Sequence, residues 1–565
     1  GAYNVTGAAA FNAAVSGVAS ISVSGATTIG AIITTTGSQA YNGNTTLTAN
    51  TTLTTTNSDV TFGGTLNGNA AGKTLTIAAG TGSATFTGAV GGSAVLGATA
   101  ITASTTTNSS TWVGNSTLGI TGNAVVNGAI SGITTLSVSG TSSIAANITS
   151  SSNQAYTGAV TITGSAVTLN SSSSNGTVSF ASTVNSAATA ANPLTVSSGS
   201  GNVTFTGVVG GATDGALGAL TVNTTGTTTF SAAVTAASVT TNAGGTTAIN
   251  GGSITTTGAQ TYNEAVTLGA ATTLSASSIT TGSTMAAGSN AVTFTTDAIA
   301  LGGNLSGSST LTIQPKTAAT TIAIGSAATG ALKLDDTELG YLVDGFTNIY
   351  LGSTAGTGAI AVSYTTPYTF LDPLTIRSNT SGGGAIAATS ALNTGTNALT
   401  VTTGGAVSVA GITSGALAIT GTGITLNNNI TTTGSQTYTG AVTLGDAITL
   451  TSNNNTVSFS GSGSTVNGAK DFTVNAGSGA INFGGVVGGS SVLSSLALTT
   501  THATGITLSG NITTTGAQAC TQDGTRLVVV LNREMALVAG QAEATRQQMH
   551  LLDTQAQAVV GMSQA

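Results

Sequence analysis

The nine residues ITTTGSQAY at Ile33 to Tyr41 return as ITSSSNQAY from Ile148, ITTTGAQTY from Ile254, ITTTGSQTY from Ile430 and ITTTGAQAC from Ile512. Self-similarity of this kind limits the fold more than any motif does, because each copy must fit the same local frame. The starts are 115, 106, 176 and 82 residues apart, which does not suit a string of identical globular beads. A second marker, FTGAVGG at Phe86, recurs as FTGVVGG at Phe205 and FGGVVGG at Phe483.

Between the markers the aromatics keep a shorter beat. Tyr41, Phe62 and Phe86 are 21 and 24 residues apart, Tyr156, Phe180 and Phe205 are 24 and 25, and Tyr438, Phe459 and Phe483 are 21 and 24. A coil of two or three short strands has this length, and stacked coils would place the rings above one another as an internal ladder. Alternation of period two runs through the same stretches, as in Val442 and Leu444, Val457 and Phe459, Phe472 and Val474, and Ile481 and Phe483. Alternate residues of a strand face opposite sides, so the apolar member points inward and the Thr, Ser or Asn between them points to water. Gly63 and Gly64, Asn175 and Gly176, and Gly488 and Gly489 supply corners. The expectation is an all-β parallel β-helix or solenoid of about 21–25 residues per coil. Residues 1–518 would then make about 22 coils and a rod on the order of 100 Å long.

Composition agrees. Only 4% of the 565 residues are charged and 4% are aromatic, against 40% hydrophobic, with 80 glycines and four prolines. Disordered chains combine few β-branched residues with high net charge, whereas here Val, Ile and Thr recur throughout. Long charged side chains stacked at ~4.8 Å would set like charges over one another, while Thr and Asn columns hydrogen-bond along the axis. A net charge of −7 with eight scattered Lys and Arg offers no stripe for a phosphate backbone, so nucleic acid is not an expected partner. No apolar run is long enough for a transmembrane helix.

The ITTTGSQ-Tyr-TGAVTL and FTGVVGG units, with LDDTELGYLVDGFTNIYLGS at Leu334 to Ser353, resemble the shafts of filamentous-haemagglutinin-like exoproteins and other giant β-strand-repeat surface proteins of Gram-negative bacteria. The resemblance covers most of residues 1–518. It implies a secreted or surface-attached right-handed parallel β-helix acting in adhesion, aggregation or biofilm, and a chain that is a fragment, a processed shaft or a polymerising subunit.

Two stretches depart from the pattern. Residues 331–377 hold Lys333, Asp335, Asp336, Glu338, Asp344, Asp372 and Arg377 among six aromatics. Carboxylates in a surface groove are how polysaccharide-cleaving solenoids work. The competing reading is a spacer in which Asp335 and Glu338 cap a helical turn. From Ala519 to Ala565 the composition shifts to include Arg526, Arg533, Arg546 and three methionines. RLVVVL at Arg526 to Leu531 reads as a last strand, and Met535, Val538, Met549, Leu552 and Val559 then fall on one helical face. That segment reads as a cap over the last coil, or as a surface joining rods end to end, with Cys520 at its boundary.

No catalytic, cofactor or metal pattern emerges. His502 and His550 have no triad or zinc partners at workable spacing, calcium-loop signatures are absent, and the glycine-rich loops lack phosphate-binding context. The leading expectation is therefore a non-enzymatic structural or adhesive solenoid outside the cell, associating end to end and presenting itself to host surfaces or polysaccharides. The alternatives are tandem immunoglobulin-like adhesin repeats, or a polysaccharide-active or ice-binding β-helix.

Overall fold

The computed structural model describes residues 1–213, 215–461, 463–503, 505–522 and 529–531. The chain is a parallel β-solenoid of about 26 turns. Most coils carry one β segment on each of three faces, a few of them running together round a corner as in Leu96–Asn108, and the segments pair in parallel with their counterparts in neighbouring coils. The first face begins with Ala2–Val5, Ser20–Val23, Gln39–Tyr41, Val60–Phe62 and Ala84–Phe86. Ala9–Phe11, Thr27–Ile29, Thr45–Leu47 and Leu66–Gly68 begin the second face. Val15–Val18, Ile33–Thr35, Thr51–Thr54 and Lys73–Ala78 begin the third. Parallel stacking on three faces overturns the tandem immunoglobulin alternative, which requires antiparallel sandwiches.

Short strands fit this architecture because three residues suffice to set two side chains inward and one outward. Val60–Phe62, Ala84–Phe86 and Val178–Phe180 each read buried, half-buried, buried. The inward residues stack on their like in the next coil, so Val60 pairs with Ala84 and Phe62 with Phe86. A continuous apolar core of Val, Leu, Ile and aromatic residues results, running the length of the solenoid. Each large aliphatic or Phe side chain so buried contributes about 1.5–3 kcal/mol against the entropy of ordering the chain.

The coil is shorter in places than the aromatic beat indicates. Ile21 pairs with Gln39, an offset of 18, and Thr247 pairs with Val266, an offset of 19, whereas Val178 pairs with Val203 at 25. The strands hardly change between these coils, and the corners absorb the difference. Short corners such as Ser24, Gly25 and Ala26, between Ser20–Val23 and Thr27–Ile29, give way in the longer coils to wider turns. One of these surrounds Ser172–Ser174 and is closed by Asn175 at φ 57°. Shorter coils make more turns from the same chain, and the stack is on the order of 120 Å long at ~4.8 Å per turn.

Corners are stitched by side chains where the backbone ladder lapses. Asn44, Asn57, Asn123, Asn153 and Asn202 each accept, through Oδ1, a backbone N–H of the next coil, on Thr65, Thr81, Thr141, Thr177 and Thr227, at 2.9–3.1 Å. Charge contributes little by comparison. Lys470 and Asp446 stand 4.0 Å apart in an exposed pair, a geometry of small net value.

The strand Gln518–Gln522 pairs with Ser495–Thr500, and Val529–Leu531 pairs with Ile506–Leu508. Strand stacking thus runs through the compositional shift at Ala519. Met535, Val538, Met549, Leu552 and Val559 lie outside the described residues.

Candidate functional site

The recurring nonapeptide is a corner with a polar interior. In the first copy the Gln39 side chain is fully buried. Its Nε2 lies within hydrogen-bond distance of three oxygens: Ile33 O at 3.3 Å, Thr35 Oγ1 at 3.3 Å, and Thr54 O of the next coil at 2.9 Å. Its Oε1 accepts the Tyr41 hydroxyl at 2.9 Å. Thr35 Oγ1 in turn donates to Gly37 O at the corner. One glutamine thus ties two strands of its own coil to the coil above, and satisfies a tyrosine hydroxyl that would otherwise be stranded in the core.

The same arrangement is built by Gln154, Ser150 and Tyr156 with Asn170 O at 2.9 Å, by Gln260, Thr256 and Tyr262 with Ser275 O at 3.0 Å, and by Gln436, Thr432 and Tyr438 with Thr451 O at 2.9 Å. Burial pushes these phenols well above their ordinary pKa, so the tyrosines remain hydrogen-bond donors throughout the physiological range. In the fifth copy Gln518 Nε2 meets Thr514 Oγ1 at 3.2 Å, and Cys520 stands in place of the tyrosine, half-buried, its thiol pKa raised by burial.

Successive copies occupy different corners, which explains their uneven spacing. Ile33–Thr35 lies on the third face and Gln39–Tyr41 on the first. The second copy turns from the second face to the third, and the third copy from the first face to the second. The fourth again turns from the third to the first, and the fifth from the second to the third. Each interval is a whole number of turns plus two thirds.

The aromatic columns follow from this placement. Tyr41, Phe62 and Phe86 stack on the first face at ring-centroid distances of 5.3 and 5.4 Å. Tyr156, Phe180 and Phe205 stack on the third face at 5.3 and 4.9 Å, and Phe230 extends that column. Tyr438, Phe459 and Phe483 return to the first face at 5.0 and 4.8 Å. The rings form three separate columns on two faces, each starting at the tyrosine of a corner.

Glu264 is the departure within the corners. It stands where the first, second and fourth copies have Gly43, Gly158 and Gly440. A Cβ at Gly158 would lie 2.3 Å from Gly140 O, so a side chain is barred there, but Gly245 in the coil below makes room for Glu264, since a Cβ on it would lie 2.7 Å from Glu264 Oε2. The buried carboxylate accepts Gly245 N–H at 3.1 Å and the Thr247 hydroxyl at 2.6 Å. Burial nevertheless raises its pKa, outweighing these bonds. Because the folded-state pKa lies above the unfolded one, folding disfavours the ionised form. Its coils are then most stable below the ordinary carboxylate range and lose stability as pH rises through the raised value. Glu264→Gln is expected to flatten this slope. Hydrogen exchange of Thr246–Ile249 and Ala265–Leu268 at pH 4 and pH 7 checks it, and equal slopes in both proteins would count against the assignment.

The acidic stretch uses its carboxylates to hold backbone. Asp335 caps the short helix Asp336–Gly340, and Glu338 completes the capping box. Glu338 also accepts Leu301 N–H of the coil below at 2.9 Å, and burial raises its pKa. Asp336 accepts Ser326 N–H at 2.7 Å and Thr365 N–H at 2.9 Å together with the Thr365 hydroxyl, which lowers its pKa to about 2. Asp372 is buried, accepts Gly345 N–H at 2.9 Å and lies beside Asp344. Burial foremost, then that neighbour, raises its pKa. Lys333 donates to Ser326 O at 2.9 Å, and the Arg377 guanidinium sits 4.3 Å from the Tyr350 ring centroid.

Among the described residues no three His, Cys, Asp or Glu come together as a metal-ligand set, and no helix is long and apolar enough to cross a membrane. The chain matches no protein-family model and no curated protein sequence.

The glutamines were legible as more than part of a marker. Gln stands at the seventh position of all five copies, two residues before the Tyr or Cys and hence on the same inward side. An amide held inward at each copy signals a buried polar network. Glu264 carries a similar signal, as the one charged residue in a glycine position of the repeat.

Proposed function

We propose that this chain is the shaft of an extracellular structural or adhesive filament at a bacterial surface, secreted or surface-attached, serving adhesion, aggregation or biofilm cohesion rather than catalysis. The observation that carries the reading is the unbroken parallel stacking of about 26 turns around one apolar core. Such a solenoid spans distance with few residues and presents an exterior of hydroxyls and amides. Its general architecture is that of filamentous-haemagglutinin-like repeat proteins. Support for a non-catalytic spacer comes from Asp336, Glu338 and Asp372, each of which accepts main-chain N–H groups.

In this reading the rods associate end to end, and residues 519–565 supply the contact. Their lateral faces meet host surfaces or polysaccharides. Negative-stain microscopy over a concentration series is the test. Rods that lengthen into fibres of constant width support the assembly, while single rods at all concentrations remove it. Beads coated with the protein should bind cells or matrix polysaccharide more than uncoated beads, and equal retention would argue against adhesion.

A further inference from the structure

The face-by-face order of strands around residues 315–347 points to a built-in bend. On the first face Thr310–Gln314 pairs directly with Asn348–Leu351, an offset of 38 between Thr310 and Asn348, so one coil holds about twice the usual chain. The surplus goes to the second face alone. There Ile322–Ile324 pairs with Ile360–Val362 on one side and with Leu332–Leu334 on the other, both in parallel. The hydrogen bonds confirm opposite sides: Ile322 N–H donates to Ala359 O, whereas Thr321 O accepts from Leu332 N–H. Leu332–Leu334 is in turn adjacent to Ile299–Leu301, the second-face strand of the coil before.

The second face therefore stacks Ile299–Leu301, Leu332–Leu334, Ile322–Ile324 and Ile360–Val362 where the first stacks Val292–Thr296, Thr310–Gln314 and Asn348–Leu351. On the third face Leu305 bridges directly to Leu342, again without an extra layer. One face is longer by a strand than the other two.

We infer that residues 315–347 form a wedge that bends the rod, with the second face convex. A strand layer adds ~4.8 Å, and a coil side of about six residues at ~3.3 Å each makes the cross-section roughly 17 Å deep, so the bend is on the order of 15°. The surrounding contacts suit a fixed elbow rather than a hinge. The Glu338 carboxylate accepts the Leu301 N–H that faces the inserted strand, and the Tyr368 hydroxyl donates to Leu339 O at 2.6 Å. Asp336 joins the Ser326 turn to Thr365 across the insertion.

Because Ile322 pairs with Leu332, deleting residues 325–334 would set Ile322–Ile324 in the place of Leu332–Leu334, joined to Asp335, and restore one strand per coil. Cryo-electron microscopy of the intact chain is expected to show two arms meeting at a constant angle at the level of residues 315–347. The deletion is expected to bring the arms into line. A straight intact rod overturns the inference whatever the deletion does, and so does the same bend in both forms. If the deleted chain fails to fold, the angle of the intact rod decides.

Discussion

Phe180→Ala is expected to destabilise its part of the solenoid by about 3–5 kcal/mol, the cost of an aromatic lost from a core that cannot collapse into the gap. Phe180 is 1% exposed and sits between Tyr156 and Phe205 at 5.3 and 4.9 Å. Its neighbours along the axis are held at the strand spacing by backbone hydrogen bonds, so they cannot close on the cavity. Because each coil touches only the next, the effect is confined. Hydrogen exchange should accelerate in Val178–Phe180 and in the paired strands Gln154–Tyr156 and Val203–Phe205. The distant column of Tyr438, Phe459 and Phe483 should be unaffected. Acceleration spread evenly over the chain would contradict the one-dimensional account, and Phe180→Leu should cost under ~1.5 kcal/mol if volume is what matters.

Gln154→Leu is expected to cost about 3–4 kcal/mol, although the new side chain is more apolar, because unsatisfied buried polar groups each cost about 1–3 kcal/mol. It would strand the Tyr156 hydroxyl and remove the amide donor shared by Ile148 O, Ser150 Oγ and Asn170 O. Tyr156→Phe leaves only Gln154 Oε1 short of a partner and should cost ~1–2 kcal/mol. The double variant should cost less than the sum, since both act on one network. Local exchange of Ile148–Ser150 and Val167–Asn170 reads the difference. A stabilised Gln154→Leu variant would show that the corner is held by apolar packing and that the glutamine is dispensable.

What the sequence reveals and what it hides follow from the same physics. Alternation and the aromatic beat expose the solenoid because every inward residue must stack on its like, and Phe62 above Tyr41 leaves that trace at a spacing of 21. The pattern Asp335-x-x-Glu338 likewise exposes its helix cap, since the pairing is local. Coil length is less legible. Coils near Ile21 have 18 residues, the positions stacked below Tyr41 are Val23 and Val5 and so carry no aromatic beat, and corners change length without disturbing the strands. The corner on which a repeat falls is hidden too, because it depends on a count of strands through every intervening coil. Leu332–Leu334 is hidden for a further reason. Nothing in LKL distinguishes a strand that adds a turn from one that adds a layer to a single face.

The central claim is that one continuous stack of parallel coils, and not a chain of separate domains, accounts for this sequence. X-ray fibre diffraction from aligned, purified chains tests it most directly. A strong reflection at ~4.8 Å along the rod axis is expected, from strands lying across that axis and hydrogen-bonded along it. A strand spacing lying across the axis instead, with an axial repeat near ~40 Å set by successive globular domains, would contradict it.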